Sequence, residues 1–379
     1  MSHPPGIGWV GLAVFAAGLS TTLPLPLYVE YAGEANTGAL AAAFACYAGV
    51  LIVTAPLLGP LPDRIGRRPC MAIGLVLAGA STLLLGLWPG VWPLAVARLL
   101  QGLAMGCITN AAGAWAAELA ERAGATSAQA SRQGAGVVAM GTAGSFGAGP
   151  LFTLLNLLAL PDARPPLVFW LHLLFVAAML LGVLRLPETR PGRPGGRWRL
   201  PLFPAGTLAS TLAMIPGWGV TGVVLTTVPV ALATLGHPRA GAWAVAGMIL
   251  SGVAAQQGLR WLAPARALRL GLPLLCLGCG VVFLGATQGW LVLLLIGAPL
   301  TGMAAYGMVY LGGLAAATLA APDDRPRATA GFFVVAHLGF SLVPLAVGLA
   351  ADALGAPAAF AGMWLCVVAA TMVLWPRLR

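Results

Sequence analysis

Residues 59 to 69 read GPLPDRIGRRP: one acid and three arginines within eleven positions of a 379-residue chain that is 59% hydrophobic and only 8% charged. The rest of the chain explains why charge collects there. A mean hydropathy of +0.92 leaves too little polar surface to coat a soluble globule, so lipid must cover much of the molecule. Apolar runs of the roughly 20 residues that cross a bilayer as a helix recur about every 30 residues. They place twelve spans at 7–29, 38–59, 70–88, 91–117, 133–158, 165–186, 203–232, 239–259, 270–287, 289–317, 330–350 and 355–375. A transmembrane barrel would show segments of about ten residues with period-two alternation, which is absent. The expected fold is an all-α integral membrane protein, and GPLPDRIGRRP falls in the loop between the second and third spans.

Charge then sets the topology. All twenty basic residues are arginine. Arg64, Arg67, Arg68, Arg122, Arg132, Arg185, Arg190, Arg193, Arg197, Arg199, Arg260, Arg266, Arg269, Arg325, Arg327, Arg377 and Arg379 fall on loops of one side, and only Arg164 and Arg239 on the other. The positive-inside rule puts the first side, with both termini, in the cytoplasm. Acids Glu30, Glu34, Asp162 and Asp352 mostly border the outer loops. In a soluble protein a net charge of +10 would suggest nucleic acid, but arginines sorted by membrane side do not, and no nucleic-acid partner is expected. MSHPPGIGWV lacks a basic leader and the run after it lacks a clear small-residue cleavage site, so the first run is expected to stay as a helix. The six cysteines lie in or at the ends of apolar spans, where structural disulfides are not expected; the CxxC of Cys276 and Cys279 has no histidine or carboxylate nearby and reads as packing.

RLPETRPGRPGGRWRLP (185–201), the longest loop on the arginine side, follows the sixth span and divides the chain into bundles of six over 1–186 and 203–379, joined by a linker at 187–202. The halves echo each other weakly. Thr21, Thr22 and Pro24 of TTLPLPL align with Thr226, Thr227 and Pro229 of TTVPVAL, and QGLAMG from Gln101 aligns with TGMAAY from Thr301. Six spans per half make this a parallel repeat, an arrangement whose binding sites commonly form where the halves meet.

GPLPDRIGRRP resembles the signature G-x-L-x-D-R-x-G-R-[RK]-P that the major facilitator superfamily carries between helices two and three, and the twelve-span layout extends the resemblance over the whole chain. Gly59 and Gly66 permit close approach and a tight turn, and Asp63 offers a carboxylate to a helix N-terminus. The resemblance implies a conformational latch of Gly59, Asp63, Arg64, Gly66, Arg67 and Arg68, with Asp63 meeting the start of helix eleven near Ala330. The equivalent second-half loop has Leu262 where the first has Asp63, so the latch is one-sided.

Arg98 is the only arginine inside a span, at a cost of about 2.5 to 3.5 kcal/mol at mid-bilayer, and it must face a partner or a watery cavity. Arg98, Gln101, Met105 and Thr109 share one helix face, with Gly102, Gly106 and Gly113 as an adjoining stripe for close packing. ARLLQGLAMG resembles the family's R-x-x-Q-G-x-x-x-G segment, which is linked to proton coupling. In AMGTAGSFGAGPLF (139–152), Gly149 and Pro150 resemble the core of the family's antiporter motif; Gly141, Gly144 and Gly149 allow tight contact and Pro150 kinks the helix. Leucines replace the glycines that usually follow. Glu30 follows Pro24 and Pro26, whose pattern resembles that of drug:proton antiporters; it reads either as a proton carrier, if buried, or as an interfacial carboxylate beside Tyr28 and Tyr31. His172 and His337 either titrate in a cavity or bond neighbouring helices. Phe333, His337, Ser341 and Pro344 share a face, and Asn110, Asn156, Gln256 and Gln257 are further polar candidates.

The reading is a secondary active transporter of the bacterial inner membrane, the major facilitator fold with twelve helices in two six-helix bundles, working as a monomer by alternating access. The resemblance implies proton-coupled export of a small molecule such as a drug, metallophore or organic acid. Proton-coupled uptake uses the same helices and is the alternative. A membrane enzyme would need a cluster of nucleophile, base or metal ligands at one depth, and a transporter-shaped sensor would need an output domain; neither is seen. With no P-loop for ATP, the partners are substrate, protons and lipid, with no cofactor and no metal.

Overall fold

In lipid each backbone N–H and C=O must be paired within the chain, so an apolar chain of this composition folds into helices. The computed structural model describes residues 6–33, 36–189 and 200–378, apart from the side chains of residues 55, 56 and 326. Glu34, Arg190, Arg193, Arg197, Arg199, Arg379 and most of the expected linker lie outside the described residues. Among the described residues there is no strand.

Eleven helices are long and apolar enough to span: α1 (Ile7–Ala32), α2 (Thr37–Leu58), α3 (Arg67–Leu87), α4 (Val91–Arg122), α5 (Ser127–Ala159), α6 (Leu167–Arg185), α7 (Leu208–Thr234), α9 (Pro264–Gln288), α10 (Leu291–Leu319), α11 (Arg325–Leu354) and α12 (Ala356–Leu374). The remaining expected span is a 19-residue helix, α8 (Ala240–Gly258), whose glycines, Gln256 and Gln257 dilute its apolar side chains. Several helices overrun their expected ends at the arginine side. α5 begins at Ser127 behind a capping box of Thr126 and Gln129, so Arg132 stands on a helix rather than in a loop.

The described residues group into two compact units: Met1–Pro24, Val53–Pro89 and Pro93–Arg199 in one, and Leu25–Ile52, Gly90–Trp92 and Leu200–Arg379 in the other. In the first, α1 packs on α5 and α3 on α6; in the second, α7 packs on α11 and α9 on α12. The same pairing six helices on gives the weak sequence repeat a structural counterpart. α1 and α7 also break at matching threonines and prolines: α1 loses α-helical form after Thr22 and passes through a 3-10 turn at Leu25–Leu27, while α7 breaks at Thr226, where φ is −118° and ψ −69°. The outer faces carry leucines such as Leu174 (69% exposed) and Leu295 (57%), surface that only lipid can cover at this density.

Candidate functional site

The charged stretch builds a closed network in the first unit. The short helix Leu61–Ile65 ends at Gly66, whose φ of 99° lies in the left-handed region open to glycine. That turn starts α3 and leaves its first N–H groups without helical partners. Glu188, from the segment after α6, takes them: Oε1 accepts from the Arg67 N–H at 3.1 Å and Oε2 from the Arg68 N–H at 2.9 Å. A Cβ on Gly66 would stand 2.6 Å from Glu188 Oε2, so this contact also requires glycine. The Arg67 guanidinium, 5% exposed, lies 3.0 Å from Asp63 Oδ1 and 3.1 Å from Glu118 Oε1. Glu118 accepts in addition from the Thr189 hydroxyl. Arg122 donates to the carbonyls of Glu188 (3.3 Å) and Thr189 (2.9 Å), and Trp115 Nε1 to that of Pro187 (3.2 Å). Arg64 is exposed, and Arg68 reaches the Leu184 carbonyl at 3.5 Å. The motif is therefore a knot of α3, α4 and the chain leaving α6. Sequence reading missed Glu118 and Glu188; the available signal was that a chain with only ten acids places them near its densest arginines.

The second feature is the break in α1. Pro24 has no N–H, so the Ser20 carbonyl four residues earlier loses its helical donor. Gln101, fully buried, supplies a replacement: its Nε2 donates to the Ser20 carbonyl at 2.8 Å. Arg98, 2% exposed, donates from one terminal nitrogen to the Thr21 carbonyl at 3.0 Å and to Gln101 Oε1 at 2.9 Å. The spacing of three residues puts both side chains on one face of α4, and together they clamp the opened backbone of α1. The partner that Arg98 required inside the membrane thus includes main-chain dipoles.

Around this break α5 approaches α1 almost backbone to backbone. A Cβ on Gly141 would lie 2.8 Å from Val14 Cβ, on Gly144 3.3 Å from Phe15, and on Gly149 2.0 Å from Thr22 Oγ1. Thr22 donates to the Ser145 carbonyl (2.9 Å) and Thr153 to the Leu23 carbonyl (2.8 Å), so hydroxyls bridge the two helices beside the kink-forming Pro150. On α4, a Cβ on Gly106 would touch Leu58 at 3.0 Å, and a Cβ on the facing Gly134 of α5 would lie 2.2 Å from the Gly113 carbonyl oxygen.

The histidines part company. His172 is 3% exposed; Nε2 lies 2.8 Å from the Ala16 carbonyl, which can only accept, so Nε2 carries the proton and Nδ1 accepts from the Thr82 hydroxyl at 3.0 Å. With both nitrogens used, it ties α1, α3 and α6 together. The cavity of about 600 Å³ beside it is lined by apolar side chains such as Leu155 (52% exposed) and Leu171 (54%), and so faces lipid. Asn110 spends its Nδ2 on the Gly106 carbonyl of its own helix at 2.7 Å. Glu30 sits exposed in the first turn of the segment Tyr28–Ala32 that follows the break, so the burial its proton-carrier reading called for is not present.

His337 belongs instead to an aromatic cluster in the second unit. Its Nδ1 donates to the Phe333 carbonyl at 2.7 Å. Around it stand Trp218 on α7 (ring centroids 5.2 Å apart), Phe333 on α11 (5.9 Å) and Tyr47 on α2 (6.4 Å). Trp218 is the hub, also meeting Phe340 at 5.6 Å, Tyr310 at 6.0 Å and Tyr306 at 6.4 Å. Its indole N–H is buried without a hydrogen-bond partner, a deficit worth about 1–3 kcal/mol. Tyr306 lies in a π-helical stretch of α10, Met303–Val309, a rare wide-turned form that is frequent at functional sites. The shared face of Phe333 and His337 was legible; the part of Phe340, Trp218 and the two tyrosines was not, because no periodicity links α7 to α10.

Comparison with known proteins agrees with the helical fold. Among curated relatives, the tetracycline resistance protein, class B, of Escherichia coli is 37% identical over 97 residues, covering 26% of this chain and 23% of the relative. The multidrug resistance protein MdtG of Escherichia coli O1:K1 / APEC is 30% identical over 114 residues, covering 28% and 27%. The matches thus span about a quarter of the length of these relatives. Among solved structures, the nucleoside transporter NupG superposes with a TM-score of 0.73 over 100% of both chains at 13% identity. The human organic anion transporter MFSD10 (TETRAN) does so with 0.64 over 98% of this chain and 100% of its own, at 18% identity. At such identities these two speak for the fold alone. The sequence pattern of the Major Facilitator Superfamily matches residues 10–310, most of the chain, which is therefore a member of that superfamily: a multi-pass membrane transporter rather than an enzyme.

Proposed function

We propose that this transporter exports a small molecule, of the drug, metallophore or organic-acid kind, in exchange for protons. The observation that carries the reading is the clamp of Arg98 and Gln101 on the broken backbone of α1. Alternating access needs an element with two arrangements, and a helix opened at Pro24 and held by two side chains is such a joint. A fixed guanidinium within the membrane is costly, so a change of charge along the jointed helix shifts the balance between the two arrangements. Glu30, beyond the joint on the same helix and exposed in the arrangement described, is the acid assigned to carry the proton, which it takes up there and holds only in the other arrangement, where the reading requires it to be buried. The knot around Arg67, with Asp63, Glu118 and Glu188, is assigned to hold one arrangement as the latch. The partial likeness to tetracycline and multidrug resistance proteins supports export. We place the protein, as a monomer, in a bacterial inner membrane with both termini in the cytoplasm, following the arginines, and take its two bundles to be residues 1–186 and 203–379.

The test separates translocation from coupling. Purified protein in liposomes is loaded with unlabelled tetracycline and exchange with labelled drug is measured without a gradient; accumulation is then driven by a pH gradient. Glu30→Gln and Arg98→Lys are expected to exchange at the wild-type rate and to lose gradient-driven accumulation by about tenfold or more. Accumulation at the wild-type level in Glu30→Gln would remove Glu30 from the mechanism.

A further inference from the structure

We propose that the cluster centred on Trp218 is a binding subsite for planar heteroaromatic molecules whose edge carries a hydrogen-bond acceptor beside a donor, as in a lactam ring or a keto-enol pair. The inference rests on the reading of the chain as a small-molecule transporter and names the class of its substrate. Three observations on separate helices converge on it. Trp218 on α7 offers a buried indole N–H without a partner, and indole can only donate. His337 on α11 gives its Nδ1–H to the Phe333 carbonyl at 2.7 Å, which in the neutral ring leaves the Nε2 lone pair as an acceptor. The two rings meet edge to face with centroids 5.2 Å apart, so one ligand edge can engage both. Stacking surface is supplied by Tyr310, whose ring lies 6.0 Å from Trp218 at an interplanar angle of 20°, just beyond the π-helical stretch of α10 that brings the tilted Tyr306 ring to 6.4 Å. Offset stacking at 4.5–7 Å between centroids is the geometry aromatic rings prefer, so a flat ligand can continue the pile. Trp218, Tyr310, Phe333 and His337 are each only part-buried, so ring surface is open in part, while the indole N–H, buried in the arrangement described, is engaged when a ligand enters between the rings. The residues named in the cluster carry no carboxylate, so recognition by them runs through ring faces and the donor–acceptor edge rather than through an ion pair.

The test uses lumazine, a water-soluble fluorescent pteridine-dione with lactam edges, on the purified full-length protein without any gradient, so that its result does not depend on coupling. Saturable binding by fluorescence anisotropy is expected. Trp218→Phe keeps a ring and removes the N–H, and should weaken binding about tenfold, the worth of one hydrogen bond of about 1.4 kcal/mol. His337→Phe should do the same. 1,3-Dimethyllumazine, which has lost its ring N–H donors, should bind the wild type weakly and be indifferent to His337→Phe. Ethidium, planar and cationic but without a carbonyl acceptor, should not respond to Trp218→Phe. Melting temperature and elution volume establish that each variant is folded. Folded Trp218→Phe that binds lumazine as the wild type does, or a wild type with no saturable lumazine binding, overturns the proposal. Loss of proton-driven accumulation with lumazine binding intact would instead fault the coupling reading alone.

Discussion

Replacing Gln101 with leucine is the most discriminating perturbation of the α1 joint. The side chain is fully buried and makes two hydrogen bonds, from Nε2 to the Ser20 carbonyl at 2.8 Å and from Arg98 to Oε1 at 2.9 Å. Leucine fills much of the volume and makes neither. In soluble proteins a neutral hydrogen bond contributes about 0.5–1.5 kcal/mol and a charged one about 1.5–3 kcal/mol. Inside membranes interhelical bonds average about 0.6 kcal/mol and reach about 1.7, because the unfolded reference also finds partners. The two together give an expected loss of about 2 kcal/mol, or roughly 2.5 °C for a chain this long. The cause can be isolated, because the Ser20 carbonyl is orphaned only by Pro24. Pro24→Ala restores an N–H four residues on, so the double variant Pro24→Ala/Gln101→Leu should recover about half of the loss, a coupling of about 1 kcal/mol. Unfolding is read with a thiol-reactive fluorophore, for which the buried Cys70, Cys107 and Cys279 serve as reporters. A Gln101→Leu variant as stable as the wild type, or strict additivity with Pro24→Ala, would refute the account of the break.

Gly149→Val puts a branched side chain where even a Cβ would be 2.0 Å from Thr22 Oγ1 and 3.0 Å from the Leu23 nitrogen; it should lower the melting temperature by roughly 5 °C or abolish folded expression, and Thr22→Ala should rescue little because the backbone contact remains. Glu188→Gln removes the charge but not the shape that caps α3, and should cost about 1 kcal/mol in the same melt, with Glu188→Ala costing more. His172→Gln is expected to lower the melting temperature while leaving proton-driven tetracycline accumulation intact, since both ring nitrogens are already spent on helix contacts; lost coupling at unchanged stability would reverse that assignment.

The fold was legible because lipid makes the problem one-dimensional: apolar runs of sufficient length must be helices. It failed at the edges for physical reasons. α8 falls short of span-grade apolarity through Gln256 and Gln257, and α5 begins before Arg132 because a capping box, not hydropathy, sets its start. Arg98 and Gln101 were readable as a buried polar pair, but not their target, since a carbonyl freed by a proline on another helix leaves no mark in side-chain chemistry. The same holds for Glu188, which binds two main-chain N–H groups across some 120 residues of sequence. The glycines of α5 show in the sequence because the absence of a side chain is itself the signal, and in the fold a Cβ added to Gly141, Gly144 or Gly149 would stand 2.0 to 3.3 Å from α1. The cluster around Trp218 was half visible: the face of α11 that bears Phe333 and His337 shows in the sequence, while the aromatic partners on α7 and α10 arrive only through folding.

The central claim, exchange of a small molecule against protons, is tested most directly by the sign of proton movement. Liposomes holding the purified protein, an acidic lumen and a trapped pH dye receive tetracycline from outside. The account predicts that the lumen turns more alkaline as protons leave against the entering drug, and that the response is lost in Glu30→Gln. Drug entry with a flat dye signal, or with further acidification of the lumen, would contradict it.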